Sequence, residues 1–382
     1  MPSRTARSEA FKIFGVGNDQ AVSGIVFLCR DHGGWNTLLP VIEILLQGKE
    51  VSLFVVASGW TLGLIEKSPM PFGEARALRE MKVPFDSLKP KVFVTAGSWS
   101  DYHLEITART THPGTSMLYV ENNYQMYSGL FAHMVRSRVR LPEFVCCIDG
   151  QSLVNLEAAY PQFGHESRAM TTGHPDFARF VAEDASVRIE ARSCLALGDR
   201  RLVTYVGTPD NKRFVIAFAQ ALRELQGVDT VNFTVRPHPR DKTRGATYAK
   251  IFRHYQLPYI ETESQDVNTV VAASDLVLST WSTEIIHAAL RCIPAVYVVD
   301  RRYVNPDAGV RFPLPPVHAG AALHCNTVQA AAEFVQKFAG QSIGQPVDPQ
   351  FAIMRKSQQR FCLKHPPRAA TNIAEHVRRL AR

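Results

Sequence analysis

Short apolar runs alternate with amphipathic stretches along most of the chain. Residues in these runs are apolar on both faces, as in a strand that is covered on both sides. The runs are 24–29, 51–57, 91–96, 116–121, 144–149 and 168–173 in the first half, and 201–207, 231–238, 257–261, 275–280 and 294–299 in the second. Buried strands that alternate with helices predict parallel sheets with helices on both faces.

Helical periodicity fills most of the gaps between these runs. It predicts helices at 37–47, 73–81, 102–110, 211–225, 242–254, 267–273, 282–291, 328–338 and 369–380. The pattern restarts after a charged stretch near 178–200, so we predict an α/β protein with two Rossmann-like doubly wound domains. The expected limits are 1–185, 186–350 and a basic helical tail, 351–382, that returns to the first domain. Ligands of such sheets bind beyond the carboxyl ends of the strands, which predicts a site in an interdomain cleft.

Composition narrows the class of protein. The chain has 382 residues with 46% hydrophobic and 20% charged side chains, which excludes a mostly disordered chain. No apolar run is long enough to span a bilayer, and the first twenty residues lack the apolar core of a secretory signal. The seven cysteines are scattered without a CxxC pair. We therefore expect reduced thiols, no metal site and a cytoplasmic protein.

The net charge of +8 is concentrated near the end of the chain. Between 354 and 382 there are eight Arg and Lys residues and one acid, Glu375. Such a surface suits a polyanion, and a solvated helix face explains it equally well. Aromatic residues are not interleaved with the basic ones, so nucleic acid is not expected as a partner. The remaining candidate partners of this surface are a phosphorylated substrate and an anionic membrane that the protein contacts peripherally.

The sequence RDHGGWNT follows the first clear apolar run. Gly33 and Gly34 permit a tight turn and close backbone approach. The helix expected from about Thr37 would direct its amide groups at a ligand. Asp31 and His32 stand at the strand end, where either could act as a general base. A plain strand-to-helix turn is the alternative.

The sequence VRPHPRD closes a strand in the second half. The prolines on either side of His238 force a rigid turn away from the sheet. Arg236 and Arg240 carry guanidinium groups that match phosphate oxygens. These three side chains therefore predict a phosphate-binding strand end, with a role for His238 in proton transfer also open.

A third motif, STWSTE, joins a strand to a helix. Ser279, Thr280, Ser282 and Thr283 supply four hydroxyl groups there, and Glu284 begins the helix. A single hydroxyl would be enough to cap the helix, so four favour an anion cradle over capping alone.

Two weaker candidates complete the set. Gly207 and Thr208 follow the first strand of the second half in a loop suited to phosphate approach. Glu121 ends a strand in the first half and could face a ligand, whereas His174 in TTGHPD is expected to be structural. Walker A, HExxH and GxSxG sequences are absent.

These motifs together resemble the GT-B superfamily of nucleotide-sugar glycosyltransferases, from about residue 24 to residue 299. HGG is similar to the glycine loop on the acceptor side, TTGHPDF to the segment near the end of the first domain, and LVTYVGTP to the first strand of the nucleotide-binding domain. RPHPRD is similar to the His-Pro motif of bacterial capsule and teichoic-acid transferases. STWSTEIIHAALRCIPAVYV looks like the loop and helix that hold donor phosphates.

The resemblance implies an inverting, metal-independent glycosyltransferase without a cofactor. It would move a sugar or polyol from a nucleotide-activated donor to a glycan or lipid-linked acceptor in bacterial surface-polysaccharide or glycoconjugate assembly. His32, Asp31 and His238 would be catalytic, and Gly33, Gly34 and Glu121 would lie on the acceptor side. The nucleotide and its phosphates would be bound by Gly207, Thr208, Arg236, His238, Arg240, Ser279, Thr280, Ser282, Thr283 and Glu284.

Two alternatives remain at this point. The non-hydrolysing UDP-N-acetylglucosamine 2-epimerases share the fold, but among their acids only Glu121 has a counterpart here. TAGSWSD and VGTPDNK replace their other hallmark segments. The second alternative is a GT-B-like binding subunit without catalytic activity.

Overall fold

The computed structural model divides the chain into two units. Unit 1 contains residues 1–179 and 365–382, and unit 2 contains residues 180–364. The structure describes residues 12–16, 23–47, 52–58, 60–67, 79–81, 85–96, 102–122, 124, 127–164, 168–208, 211–238, 241, 243, 245–280, 282–303, 315–341 and 348–382.

Unit 1 is built on an eight-stranded sheet with the order β4-β1-β3-β2-β5-β6-β7-β8. Its strands are β1 (Lys12–Val16), β2 (Ser23–Cys29), β3 (Leu53–Ala57), β4 (Arg79–Met81), β5 (Lys89–Thr95), β6 (Ser116–Val120), β7 (Phe144–Cys147) and β8 (Ala169–Thr171). The neighbouring pairs from β3 to β8 are parallel, whereas β1 runs antiparallel to both β3 and β4. The strand order reverses between β2 and β5, which creates a crevice at their carboxyl ends.

Both faces of this sheet are covered, as the apolar runs predict. Along β2, Ile25 and Phe27 belong to one buried cluster and Val26 and Leu28 to another. The helices are α1 (His32–Gln47), α2 (Trp60–Lys67), α3 (His103–Thr111), α4 (Tyr127–Arg136), α5 (Gly150–Ala159), α6 (Pro175–Ala182), which continues into unit 2, and α15 (Ala369–Ala381). Helix α15 packs against α1, so the end of the chain completes the core of unit 1.

Unit 2 is built on a parallel five-stranded sheet with the order β10-β9-β11-β12-β13. Its strands are β9 (Arg201–Val206), β10 (Val231–Arg236), β11 (Leu276–Ser279), β12 (Ala295–Val298) and β13 (Leu323–Cys325). A parallel bridge from Phe233 to Tyr259 adds the 257–261 run beside β10. The result is the 3-2-1-4-5-6 order of Rossmann-type domains, with its reversal between β9 and β11.

The helices of unit 2 complete the doubly wound layers. They are α7 (Ala185–Cys194), α8 (Lys212–Arg223), α9 (Gly245–His254), α10 (Val267–Ala273), α11 (Glu284–Leu290), α12 (Pro315–His318), α13 (Val328–Ala339) and α14 (Pro349–Cys362). Helix α14 packs against α11 and thus belongs to unit 2. Of the expected tail, it is the part after residue 364 that belongs to unit 1. Among the described helices, none is long and apolar enough to cross a membrane.

Two predicted helices differ from the structure, and strands β1 and β13 were not predicted. Helix α1 begins at His32 and not near Thr37, so both glycines of HGG lie in its first turn. The helix expected at 73–81 is wrong at its end, because Arg79–Met81 forms strand β4 and Met81 pairs with Ile13. Pairing at the sheet edge therefore overrides the local helical pattern, and residues 73–78 lie outside the described residues.

Candidate functional site

The sheet of unit 2 brings three of the predicted segments to one edge. Strand β9 lies between β10 and β11, and all three run in the same direction. The loops at 207–211, 236–241 and 280–284 therefore leave the same edge, at the point where the strand order reverses. This is the position where Rossmann-type sheets bind ligands.

Asn211 is the centre of the hydrogen bonds that connect these loops. Its Oδ1 accepts from the Tyr205 hydroxyl, the Thr208 amide and the Thr208 hydroxyl, each at 2.9 Å. A Cβ on Gly207 would lie 2.7 Å from Asn211 Nδ2, so the close approach requires glycine at that position. Asn211 is 2% exposed and was not among the predicted site residues.

Thr280 joins the hydroxyl-rich turn to this centre. Its Oγ1 lies 3.1 Å from Thr208 Oγ1 and 3.3 Å from the Tyr205 hydroxyl. Both of those hydroxyls donate to Asn211, so the Thr280 hydroxyl donates to one of them. Burial raises the pKa of Tyr205, which keeps its phenol protonated and able to donate.

The other residues of the turn have different surroundings. Ser282 Oγ accepts from the Glu284 amide at 3.2 Å, which is the capping alternative considered above. Glu284 Oε2 lies 3.0 Å from His287 Nδ1. Thr283 makes no side-chain capping bond. Ser279 Oγ is buried with no hydrogen-bond partner among the described residues, which is uncommon for a buried hydroxyl.

Asp241 anchors the loop that carries the His-Pro motif. Its carboxylate accepts from the Tyr248 hydroxyl at 2.5 Å and the Thr243 amide at 2.9 Å, and Asn211 Nδ2 lies 3.5 Å away. The Asp241 amide donates to the His238 carbonyl at 2.8 Å, which closes a turn around the histidine. The motif and the Asn211 centre are thus joined through one buried carboxylate. Arg240 lies outside the described residues.

Arg236 ends β10, and its side chain is held in place by a hydrogen bond to the neighbouring loop. Its Nη1 donates to the Glu263 carbonyl at 2.8 Å, and the Gly207 amide donates to the Arg236 carbonyl at 2.9 Å. Gly245, which begins α9, donates its amide to the Glu263 carboxylate. The guanidinium is therefore positioned at the loop edge by one of its five N–H groups.

In unit 1, the HGG segment packs at the corresponding reversal between β2 and β5. Asp31 Oδ1 accepts from the Gly34 amide at 2.7 Å and so caps α1. A Cβ on Gly34 would approach the Ala96 carbonyl oxygen to 2.8 Å, whereas one on Gly33 would meet nothing closer than 3.4 Å. Gly34 is thus required by contact with the end of β5. His32 begins the helix, and its side chain lies outside what the structure describes.

Glu121 is buried at the end of β6. Its Oε2 accepts from the Ile148 amide at 2.9 Å, and the Ser152 hydroxyl donates to its Oε1 at 2.7 Å. These bonds hold the start of α5 against the sheet. His174 is also structural, as expected: its Nδ1 accepts from the Asp176 and Phe177 amides, so its Nε2–H donates to the Asn122 carbonyl at 3.0 Å.

The structure adds two titratable groups to this region that the sequence did not reveal. Glu105 is 1% exposed; its Oε1 accepts from Thr95 at 2.9 Å, and its Oε2 has no partner in the described part of the chain. Burial raises the pKa of Glu105 to about 7, and Arg30 and Asp31 are close enough to influence it. Burial also raises the pKa of Tyr102 to about 12. Along the sequence, Glu105 resembles any polar residue of an amphipathic helix.

Similar folds occur among solved structures of transferases and related proteins. Over 93% of this chain, the S. aureus MnaA–UDP structure has a TM-score of 0.61 at 13% identity, and 96% of its own chain is covered. Acinetobacter baumannii MurG has a TM-score of 0.55 at 14% identity, with 93% and 99% covered. The wall teichoic acid polymerase TagF has a TM-score of 0.54 at 12% identity, with 93% and 88% covered.

These comparisons establish the fold. At such low identity a structural likeness carries no residue roles, but the GT-B-like architecture of two Rossmann-like α/β domains predicted from the sequence is confirmed. No family model matches the chain, and no curated protein matches it.

Proposed function

We propose that this protein is a glycosyltransferase of GT-B type. It would move a sugar or polyol from a nucleotide-activated donor to a glycan or lipid-linked acceptor in bacterial surface-polysaccharide or glycoconjugate assembly. The observation that supports this best is the hydrogen-bonded meeting of the 207–211, 236–241 and 280 segments at the reversal point of the unit 2 sheet.

In this proposal unit 2 binds the donor. Gly207 and Thr208 lie where backbone can approach a diphosphate, and the buried Thr280 hydroxyl positions Thr208 there. Arg236, His238 and Arg240 supply positive charge from the next loop. Positive groups held in place stabilise the charge that develops on the leaving nucleotide, an effect of about 3 kcal/mol for a single fixed donor. These groups allow a scheme without a metal.

Unit 1 would bind the acceptor and would provide the catalytic base. Asp31 is engaged in capping α1, so we favour His32 as the group that removes the proton from the acceptor hydroxyl, with Asp31 holding the turn. With a sugar donor, the deprotonated oxygen would then attack the anomeric carbon in line with the leaving phosphate, and the bond from that carbon to the phosphate oxygen would break. A single displacement of this kind inverts the anomeric centre.

Turnover of donors by matched histidine variants tests the function. We expect His238→Ala and His32→Ala to lower transfer from the preferred nucleotide donor by at least about 100-fold, as removal of an acid–base group does. The exposed His254 provides a control, because His254→Ala should transfer normally. Near-normal transfer by both variants would contradict the mechanism. Epimerisation of a UDP-N-acetylhexosamine without acceptor would replace it with the epimerase alternative, and no turnover of any donor would favour a binding subunit.

We also propose that the protein meets the inner face of the membrane through α14. Lys356 and Arg360 are exposed on this helix, one and two turns from Ile353, and Leu363 follows them. Ile353 and Leu363 are 65% and 86% exposed. Cations interspersed with exposed apolar side chains suit an anionic lipid surface.

Flotation with vesicles tests this surface. Lys356→Glu with Arg360→Glu should abolish binding to phosphatidylglycerol-containing vesicles, while the charge-matched pair Arg223→Glu with Lys337→Glu, elsewhere on unit 2, should bind like the parent at low salt. Equal binding by both pairs, or no binding by the parent, would contradict the proposed contact.

A further inference from the structure

A cavity of about 580 Å³ lies in unit 2, away from the loops described above. It is lined by Asp275 and Pro294, which immediately precede β11 and β12. The donor loops leave the carboxyl ends of the same sheet, so this cavity lies at its opposite, amino edge. It is therefore separate from the proposed donor site and does not depend on it.

Two thiols line this cavity together. Cys292 follows the C-terminal end of α11, and Cys362 is the last residue of α14. The Cys362 thiol donates to the Leu290 carbonyl oxygen at 3.2 Å, two residues before Cys292, and the two thiols are close enough to influence each other's ionisation. Both residues are partly exposed, in contrast to Cys29, Cys146, Cys147 and Cys325, which are buried.

The backbone at Cys292 also points to a specific requirement for this residue. Its φ is +55°, in the left-handed region that glycine or asparagine usually occupies after a helix. The preceding Arg291 pairs through two nitrogens with Glu183, at 2.6 and 2.8 Å, and thereby fixes the turn. Cys292 is therefore held in a fixed turn at the wall of the cavity that Cys362 also lines.

Charges around the cavity favour the thiolate of Cys292. Arg188 and Arg291 are already paired with Asp275 and Glu183. Arg355 has no ion pair among the described residues, and it lines the cavity near the thiols. The neighbouring Cys362 thiol, assisted by Arg355 and opposed by burial, lowers the pKa of Cys292. A thiolate is the nucleophilic form of cysteine.

We propose that Cys292 and Cys362 form a peroxide-reactive thiol site in this cavity, in which Cys292 is oxidised and Cys362 resolves the product as a disulfide. The substrate class is hydrogen peroxide or a small organic hydroperoxide. The Cys292 thiolate attacks the peroxide, an S–O bond forms, the O–O bond breaks, and the departing hydroxide or alkoxide takes up a proton. Cys362 then loses its proton and attacks the Cys292 sulfenic acid; the S–S bond forms and hydroxide leaves as water. Two thiols are oxidised as one peroxide is reduced.

Peptide mapping of the whole reduced protein after treatment with hydrogen peroxide at neutral pH tests this site. Trypsin should release a disulfide-linked pair made of residues 292–301 and 361–364. Cys362→Ser should leave Cys292 as a sulfenic acid that dimedone labels, and Cys292→Ser, nearly identical in size, should form no linked pair. The exposed Cys194 supplies the control, because Cys194→Ser should give the same linked pair as the parent.

The proposal is overturned if the parent gives no 292–362 pair, or if Cys292 in the Cys362→Ser variant is labelled no faster than Cys194. It is also overturned if the Cys292→Ser variant, shown to be folded by its thermal unfolding, consumes peroxide as fast as the parent. Donor transfer does not enter these readouts, so their failure is distinct from failure of the proposed function.

Discussion

At the scale of single residues, buried side-chain amides and carboxylates position the motifs that can be recognised in the sequence. Asn211 and Asp241 hold two of the three loops at the carboxyl edge of the unit 2 sheet, yet each looks like an ordinary loop residue in the sequence. Their roles depend on buried side-chain partners, such as Tyr205 for Asn211 and Tyr248 for Asp241, which a motif search does not connect.

Replacement of Asn211 tests the hydrogen bonds that connect the loops at the carboxyl edge of the unit 2 sheet. Asn211→Ala leaves the Tyr205 hydroxyl and the Thr208 amide without their acceptor, which should lower the free energy of unfolding by roughly 2–4 kcal/mol. Asn155, whose side-chain oxygen accepts from Gln151 on a partly exposed helix face, is the control, and Asn155→Ala should stay within about 0.5 kcal/mol of the parent. Denaturant unfolding measures both changes, and equal small effects would show that Asn211 does not organise the loops.

Glu105 makes the stability of unit 1 depend on pH. Its pKa in the folded protein, about 7, exceeds its ordinary value of 4.5, so the folded state holds the proton more tightly than the unfolded chain. The stability gained in this way is complete below pH 4.5 and is lost as the pH rises through 7, by up to about 3 kcal/mol.

Glu105→Gln removes the titrating group and should flatten this dependence. Unfolding measured between pH 4.5 and pH 8 should show the parent losing more stability than the variant. Parallel pH curves would contradict the account of Glu105.

At the scale of elements, the central strands were predicted more accurately than the edge strands and the starts of helices. Buried strands such as β2 and β12 show as apolar runs because both faces are covered. The short edge strand β4 has no such run, since its pairing with β1 supplies its stability. The start of α1 at His32 was equally hidden, because two glycines at a helix start look like a loop.

The two glycines of α1 provide a matched pair of substitutions. Gly34→Ala places a methyl group 2.8 Å from the Ala96 carbonyl oxygen and should destabilise the protein by about 1–3 kcal/mol. Gly33→Ala meets only ordinary contacts, and in a helical turn it should be neutral or slightly stabilising. Thermal unfolding of both variants checks the difference. Equal effects would mean that the contact with β5 does not require glycine at position 34.

At the scale of the whole molecule, the alternation of strands and helices was enough to predict two doubly wound domains. The sequence also indicated which strand ends carry candidate ligand groups, because these follow apolar runs directly. It could not show that Glu121 binds the start of α5 or that Glu105 is buried. Those roles arise from tertiary contacts between segments distant in the sequence.

The central claim is that the His-Pro loop and the hydroxyl-rich turn of unit 2 bind one nucleoside diphosphate together. Calorimetric titration with UDP, CDP, GDP and ADP tests it most directly, first on the parent and then on His238→Ala, Thr280→Ala and the double variant. We expect one nucleotide to bind, each single variant to weaken it at least about tenfold, or 1.4 kcal/mol, and the double variant to depart from additivity because both side chains serve one ligand. Absence of binding by every nucleotide, or parent-like affinity in both single variants, would contradict the claim.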